Sequence, residues 1–159
     1  AASASTDYQK VSQLMLTDIY TVRPDDPIAL VAELMQWERA RYVPVEDDQG
    51  RLVGLVSLRG VMRYLSRSSV AGSAIPSGVP SADQSAPVST IMRTQLVTVS
   101  PDMPTREAVA LMRKHRIGAL PVVQGDHIVA MLTEEEFLGL ASKMLNELGS
   151  QIDEAPVDG

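Results

Sequence analysis

The chain has 159 residues, no cysteine, a net charge of -6 and 45% hydrophobic residues. It therefore has room for one or two small soluble domains, without disulfides, thiolate metal sites or a cysteine nucleophile. A pI near 4.8 argues against bulk attraction to nucleic acid or to an anionic membrane.

No run approaches the ~18 apolar residues of a membrane helix, and the start, AASASTDYQK, lacks a signal peptide's apolar region. Cytoplasmic location is the expectation. The first residue is not methionine, which suggests a processed segment or one excised from a longer polypeptide.

Residues 1–10 are small and polar and are expected to fray. Val11 to Met15 predicts one helical turn, and Ile19 to Val22 a short strand stopped by Pro24. Asp26 before Pro27 reads as a helix start, a capping carboxylate followed by proline at the first helical position. Ile28, Val31, Leu34 and Met35 then share one helical face, with Trp37 expected in packing. A strand at Val43–Val45, a hairpin at Asp47-Asp48-Gln49-Gly50 and a strand at Leu52–Val56 follow. Ser57 caps a second helix whose Val61, Met62 and Leu65 are expected to face inward. The unit is β-α-β-β-α.

Ser66 to Pro87 is rich in Ser, Ala, Pro and Gly, has no apolar periodicity, and reads as a surface linker. The later strands are Leu120–Val123 and His127–Leu132, joined at Gly125-Asp126, a hairpin signal. Thr133 followed by Glu136 is a capping box that opens the last helix. Past Glu147 the tail turns polar and is expected to lose order.

An offset of 77 residues places Thr21 on Thr98, Val22 on Val99, Pro24 on Pro101, Met35 on Met112 and Pro44 on Pro121. After the shorter second hairpin the offset is 76, with Ser57 on Thr133. The matches are apolar-face residues, prolines and caps, so the halves share one fold. Each half alone would bury too little surface to be robust. The expectation is an α+β protein of two repeats, 11–68 and 88–148, packed around a pseudo-twofold axis. A linker at 69–87 joins them, and 149–159 form a disordered tail.

Thr21-Val22-Arg23-Pro24-Asp25, Pro44-Val45 and Leu52–Ser57, repeated as Thr98–Asp102, Leu120–Val123 and Ile128–Thr133, resemble a tandem pair of CBS domains, a Bateman module. The resemblance covers about residues 11–148. It implies a regulatory, non-catalytic module that dimerises into a disc and binds an adenosine-containing ligand between its repeats. The candidate regulatory ligands are AMP, ADP, ATP and S-adenosylmethionine; no cofactor is required. A homodimer and an attached or separate effector domain are the implied partners, with no nucleic acid and no membrane. Two other readings stay open: a ligand-free dimerisation scaffold, and an excised regulatory segment of an enzyme such as an inosine monophosphate dehydrogenase.

The family's ligand motif is a glycine in the last strand, then Ser or Thr, then an acid three positions on. The hydroxyl and the helix N-terminus offer donors to a phosphate, and the acid accepts from ribose hydroxyls. Repeat 1 has Gly54 and Ser57 but Gly60 in the acid's place; repeat 2 has Thr133 and Glu136 but Ala130 in the glycine's place. The candidate contacts implied by the resemblance are Thr21, Val22, Pro44 and Ser57 in repeat 1. In repeat 2 they are Thr98, Val99, Pro121, Thr133 and Glu136. Binding is expected to favour repeat 2, and AMP or an adenosyl compound over ATP, because Glu134-Glu135-Glu136 repels a triphosphate.

Nothing in the sequence forms a catalytic set or a metal site. His115 and His127 lie in different elements and read as surface residues. Arg59, Arg63 and Arg67 form a stripe at i, i+4, i+8: a solvated face, a phosphate-lining wall, or a complement to the other repeat's acidic helix start.

Overall fold

The computed structural model describes residues 10–71 and 85–153, with side chains over 10–66 and 85–149. The expected fraying of residues 1–9, the linker residues 72–84 and the tail residues 154–159 lie outside the described residues.

Repeat 1 consists of α1 (Ile28–Glu38), β1 (Tyr42–Glu46), β2 (Leu52–Ser57) and α2 (Leu58–Ala71). Repeat 2 mirrors it with α3 (Thr105–His115), β3 (Ala119–Gln124), β4 (His127–Thr133) and α4 (Glu134–Asp153). Each strand pair is antiparallel, Val43 opposite Val56 in one and Leu120 opposite Leu132 in the other. Gly50 (φ 80°) and Gly125 (φ 64°) turn the hairpins in the left-handed region, where a side chain would strain the backbone.

Several local expectations change in three dimensions. The strand expected at Ile19–Val22 shrinks to one parallel bridge, Val22 beside Val45, matched by Val99 beside Val122. Asp26 does not cap α1. Its Oδ2 accepts from the Arg23 N–H at 2.8 Å, closing a turn, and Pro27 stands at the N-cap with no side-chain bond. Trp37 is not packed but 77% exposed. Among the α2 residues whose side chains are described, Val61 alone is buried, while Met62 (59% exposed) and Leu65 are exposed. Helix α2 continues to Ala71, past the expected start of the linker, and α4 reaches Asp153, past the expected loss of order.

The two cores are crossed. A 3-10 turn at Val11–Gln13 opens repeat 1, yet Val11 is buried with Val99, Leu120, Val122 and Leu132 of repeat 2. The equivalent turn, Val88–Thr90, puts Val88 among Val22, Val43, Val45 and Val56 of repeat 1. The anchoring bonds are mirror copies: the Val11 N–H donates to the Met103 carbonyl (2.9 Å) and the Val88 N–H to the Asp26 carbonyl (2.8 Å). Burial of each valine contributes roughly 1.5–3 kcal/mol, so each repeat draws part of its stability from the segment that opens the other.

One position breaks the symmetry of the cores. Ile28, the first residue of α1, is 1% exposed; its equivalent Thr105 is also buried, at 8% exposed, but its Oγ1 has no hydrogen-bond partner among the described residues. A buried unsatisfied hydroxyl costs about 1–3 kcal/mol. Thr105→Val removes the hydroxyl at nearly constant shape and is expected to raise the urea midpoint by the equivalent of about 1 kcal/mol. A lower midpoint would show that the hydroxyl is satisfied in solution.

Candidate functional site

A cavity of about 280 Å³ opens between the repeats. Its walls are the Leu16–Tyr20 strap, the end of α1 with the start of β1, and Met131 with the first turn of α4. The strap is fixed by a reciprocal pair of bonds, Leu16 N–H to the Met131 carbonyl at 2.8 Å and Met131 N–H to the Leu16 carbonyl at 2.9 Å. The strap is flanked by Met15, packed on the core of repeat 2, and by Val22 in the core of repeat 1, so the cavity wall is tied to both repeats. The volume lies just under the ~300–1,000 Å³ range of small-molecule pockets, which suits a ligand of nucleoside size.

The polar floor is the start of α4. Glu136 Oε2 accepts from both the N–H and the hydroxyl of Thr133, each at 2.6 Å, and Thr133 Oγ1 accepts from the Glu135 N–H at 3.2 Å. This satisfies donors that a helix N-terminus leaves without partners. Both of these carboxylate bonds use Oε2, and Oε1 takes part in neither. Above this floor, Tyr42 of repeat 1 and Glu134 of repeat 2 close over Gly118. A Cβ there would stand 2.6 Å from the Tyr42 hydroxyl and 2.9 Å from Glu134 Oε1, so a side chain at this position would have to push the ends of these two side chains aside.

Charge in the cavity is lopsided. Asp18, Glu38, Glu134, Glu135 and Glu136 line it, against Arg39 and Arg41. The Glu38 carboxylate, hydrogen-bonded by Tyr20, holds the Tyr20 phenol above its ordinary value, and Asp18 adds to the effect. Burial pushes the Tyr42 phenol up and Glu134 reinforces it, against the opposing pull of Arg41, Arg59 and Arg93. Both phenols therefore stay protonated donors at neutral pH. Ile19, Leu34, Val43 and Pro44 supply apolar wall for a flat ring, beside carboxylates able to accept from hydroxyls.

Of the residues expected at a ligand site, the cavity brings together Pro44, Thr133 and Glu136. Thr21 lies next to it, with its hydroxyl donating to Glu46 Oε1 at 2.9 Å. Val22, Val99 and Pro121 are buried, Thr98 is exposed, and none of these four lines it. Ser57 sits at the equivalent helix start of repeat 1, where its Oγ accepts from the Gly60 N–H at 3.0 Å. There the Met92 thioether lies against Gly54, 2.6 Å from where a Cβ would stand. Tyr20, Glu38, Arg39, Tyr42 and Gly118 are cavity residues outside the sequence motif. The signal for Gly118 was its place just before a strand; the others carry none in one sequence.

The histidines fall where expected, on the surface. His127 joins the hairpin tips, Nδ1 2.9 Å from Asp126 and Nε2 3.0 Å from the Gln49 carbonyl. Among the described residues no group of three acidic or histidine side chains could hold a metal ion, and no helix is long and apolar enough to cross a membrane.

The family model that matches the chain is the CBS domain, twice, over residues 11–67 and 88–143. The CBS domain-containing protein YhcV of Bacillus subtilis is 30% identical over 122 residues, 77% of this chain and 78% of that protein. The inosine-5'-monophosphate dehydrogenase of Mycobacterium leprae is 32% identical over 126 residues, 78% of this chain but only 21% of the dehydrogenase. Among solved structures, the CBS domain pair of protein MJ0100, in complex with 5'-methylthioadenosine and S-adenosyl-L-methionine, superposes with a TM-score of 0.72 at 19% identity. That superposition covers 86% of this chain and 98% of the other.

Proposed function

The chain belongs to the CBS-domain family, and from that premise we propose that its acidic inter-repeat cavity binds an adenosine-containing ligand of low negative charge. AMP-like and adenosyl compounds fit this description; ATP does not. The observation that carries the reading is the coincidence of the cavity with the Thr133–Glu136 helix start. A hydroxyl, a carboxylate oxygen and an apolar wall converge there on a nucleoside-sized space. The five lining carboxylates raise the cost of bringing in phosphates, the more so as charge accumulates. The neutral and cationic adenosyl ligands of the MJ0100 pair agree with that preference.

The role is regulatory. The cavity has walls from both repeats, so a ligand that fits one relative arrangement better than another shifts the balance between them, and a partner or attached domain reads the shift. The dehydrogenase relative, of which the matched region is a fifth, supports a reading in which the module serves an enzyme. Dimerisation belongs to the same proposal. Leu58, Met62 and Leu65 on α2, and Leu138, Leu145 and Leu148 on α4, are exposed apolar residues at helical spacing, which a second copy would cover.

A thermal-shift panel of AMP, ADP, ATP and S-adenosylmethionine tests the sensor reading, since a ligand that binds only the native state raises the melting temperature. The expected order is AMP and S-adenosylmethionine above ADP, with ATP last. No shift with any of them favours the ligand-free scaffold, a reading supported by the Met92 side chain covering Gly54. Sedimentation at micromolar concentration is expected to give a dimer; a monomer would refute that part.

A further inference from the structure

The two hairpins meet at their tips and form a short ladder from one repeat to the other. Arg51, just before β2, and His127, the first residue of β4, are antiparallel bridge partners. The Leu52 N–H donates across this junction to the Asp126 carbonyl at 2.8 Å. Under the offset of 76, Arg51 and His127 are also equivalent positions, so each repeat brings the same residue of its hairpin here. Their side chains behave differently. Arg51 carries a permanent charge and uses it within its own hairpin, with Nε donating to Asp47 Oδ2 at 2.9 Å. His127 holds Asp126 Oδ1 at 2.9 Å from Nδ1, and reaches over to repeat 1 with Nε2, 3.0 Å from the Gln49 carbonyl. The ring passes close over Gly50, where a Cβ would stand 3.2 Å from Cδ2.

Both imidazole nitrogens therefore face acceptors. A carboxylate and a carbonyl have no proton to offer, and a neutral imidazole has a single N–H. In the neutral ring one nitrogen turns its lone pair toward an oxygen, so one of the two contacts is lost. The imidazolium donates to both. From this we propose that His127 is a pH-dependent clasp between the repeats, closed when the ring is protonated and slack when it is neutral. The charged groups around the ring agree with this. Repeat 1 presents Arg51 paired with Asp47, and Asp48 paired with Arg23, while repeat 2 presents Asp126. The two repeat 1 pairs cancel, which leaves Asp126 to balance an imidazolium. The Arg51 N–H above all holds the Asp47 carboxyl below its usual range, so its pair with Arg51 persists in mild acid. His127 and Asp126 are each more than half exposed, so solvent screens their attraction and the bond to Gln49 carries the link. Histidine changes charge between about pH 5 and 8, so the clasp closes as pH falls through that range and slackens as it rises. The cavity has walls from both repeats, and the clasp bears on how they are held. The inference is independent of the adenosine reading of that cavity.

Amide exchange of the full chain at about pH 5.5 and about pH 8, corrected for the intrinsic rate at each pH, tests it. The reporter is the Leu52 N–H, whose bond crosses the junction, and the reference is the β1–β2 ladder, which stays within repeat 1. Leu52 protection is expected to be about threefold to tenfold higher at the lower pH, the effect of about one hydrogen bond. The ladder amides are expected not to share that change. His127→Gln keeps one donor at every pH and is expected to abolish the difference. His127→Ala is expected to abolish it too, leaving Leu52 near its protection at the higher pH. His115→Gln, which alters the only other histidine in the chain, is expected to retain the difference in full. Three results overturn the proposal. One is equal Leu52 protection at both pH values in the wild type. Another is a difference that survives in folded His127→Gln or His127→Ala, and the third is an equal change throughout the ladder, which means a global effect of pH.

Discussion

Replacing Val11 with aspartate is expected to unfold repeat 2, not the repeat that Val11 opens. Its side chain is fully buried among Val99, Ala108, Leu120, Val122 and Leu132. A carboxylate there has no partner, and an uncompensated buried charge costs about 3–5 kcal/mol. For a chain of this size that corresponds to a fall of about 10 °C in melting temperature. Val88→Asp is the mirror experiment and is expected to loosen repeat 1. The milder Val11→Ala and Val88→Ala keep the chain folded, so amide exchange can locate the damage. Faster exchange is expected in β3 and β4 for Val11→Ala, and in β1 and β2 for Val88→Ala. The opposite pattern would mean that the opening segments pack on their own repeats.

Glu136→Ala is expected to weaken adenosyl-ligand binding about tenfold to a hundredfold, the range for losing one hydrogen bond to a charged group. The same substitution also removes both bonds from Thr133 to the carboxylate, so the start of α4 loses about 1 kcal/mol of capping. The two effects separate by measuring the melting temperature without ligand alongside the affinity. Glu136→Gln keeps an acceptor for Thr133 and is expected to fall between wild type and alanine in both measurements. A folded Glu136→Ala protein of unchanged affinity would show that this carboxylate only caps the helix.

The elements with strong local chemistry were legible in the sequence. Gly125-Asp126 sets the second hairpin, and Thr133 with Glu136 forms the capping bonds. Duplication of Pro44-Val45 as Pro121-Val122 marked the two strand pairs. The failures share one cause, which is that a pattern states whether a side chain prefers burial but not what buries it. Met62, Leu65 and Trp37 read as core, yet among the described residues they are exposed. Val11 read as one residue of a local turn, while its partners lie in the other repeat. Asp26 had an alternative donor in the Arg23 N–H, and a turn took the carboxylate that a helix start would have used. At the site, Thr133 and Glu136 announce themselves by spacing. Tyr20, Tyr42 and Gly118 do not, because they meet that helix start only when two distant segments close on it.

Photolabelling with 8-azidoadenosine monophosphate, followed by peptide mapping, tests most directly whether the adenosine ligand sits in the acidic inter-repeat cavity. The account predicts saturable adducts within the Leu16–Tyr20 strap, the stretch from Glu38 to Pro44, or the stretch from Met131 to Leu138, all of them suppressed by excess AMP. Adducts confined to the other side, at Leu55–Gly60 or Met92–Val97, or labelling that excess AMP does not suppress, would contradict it.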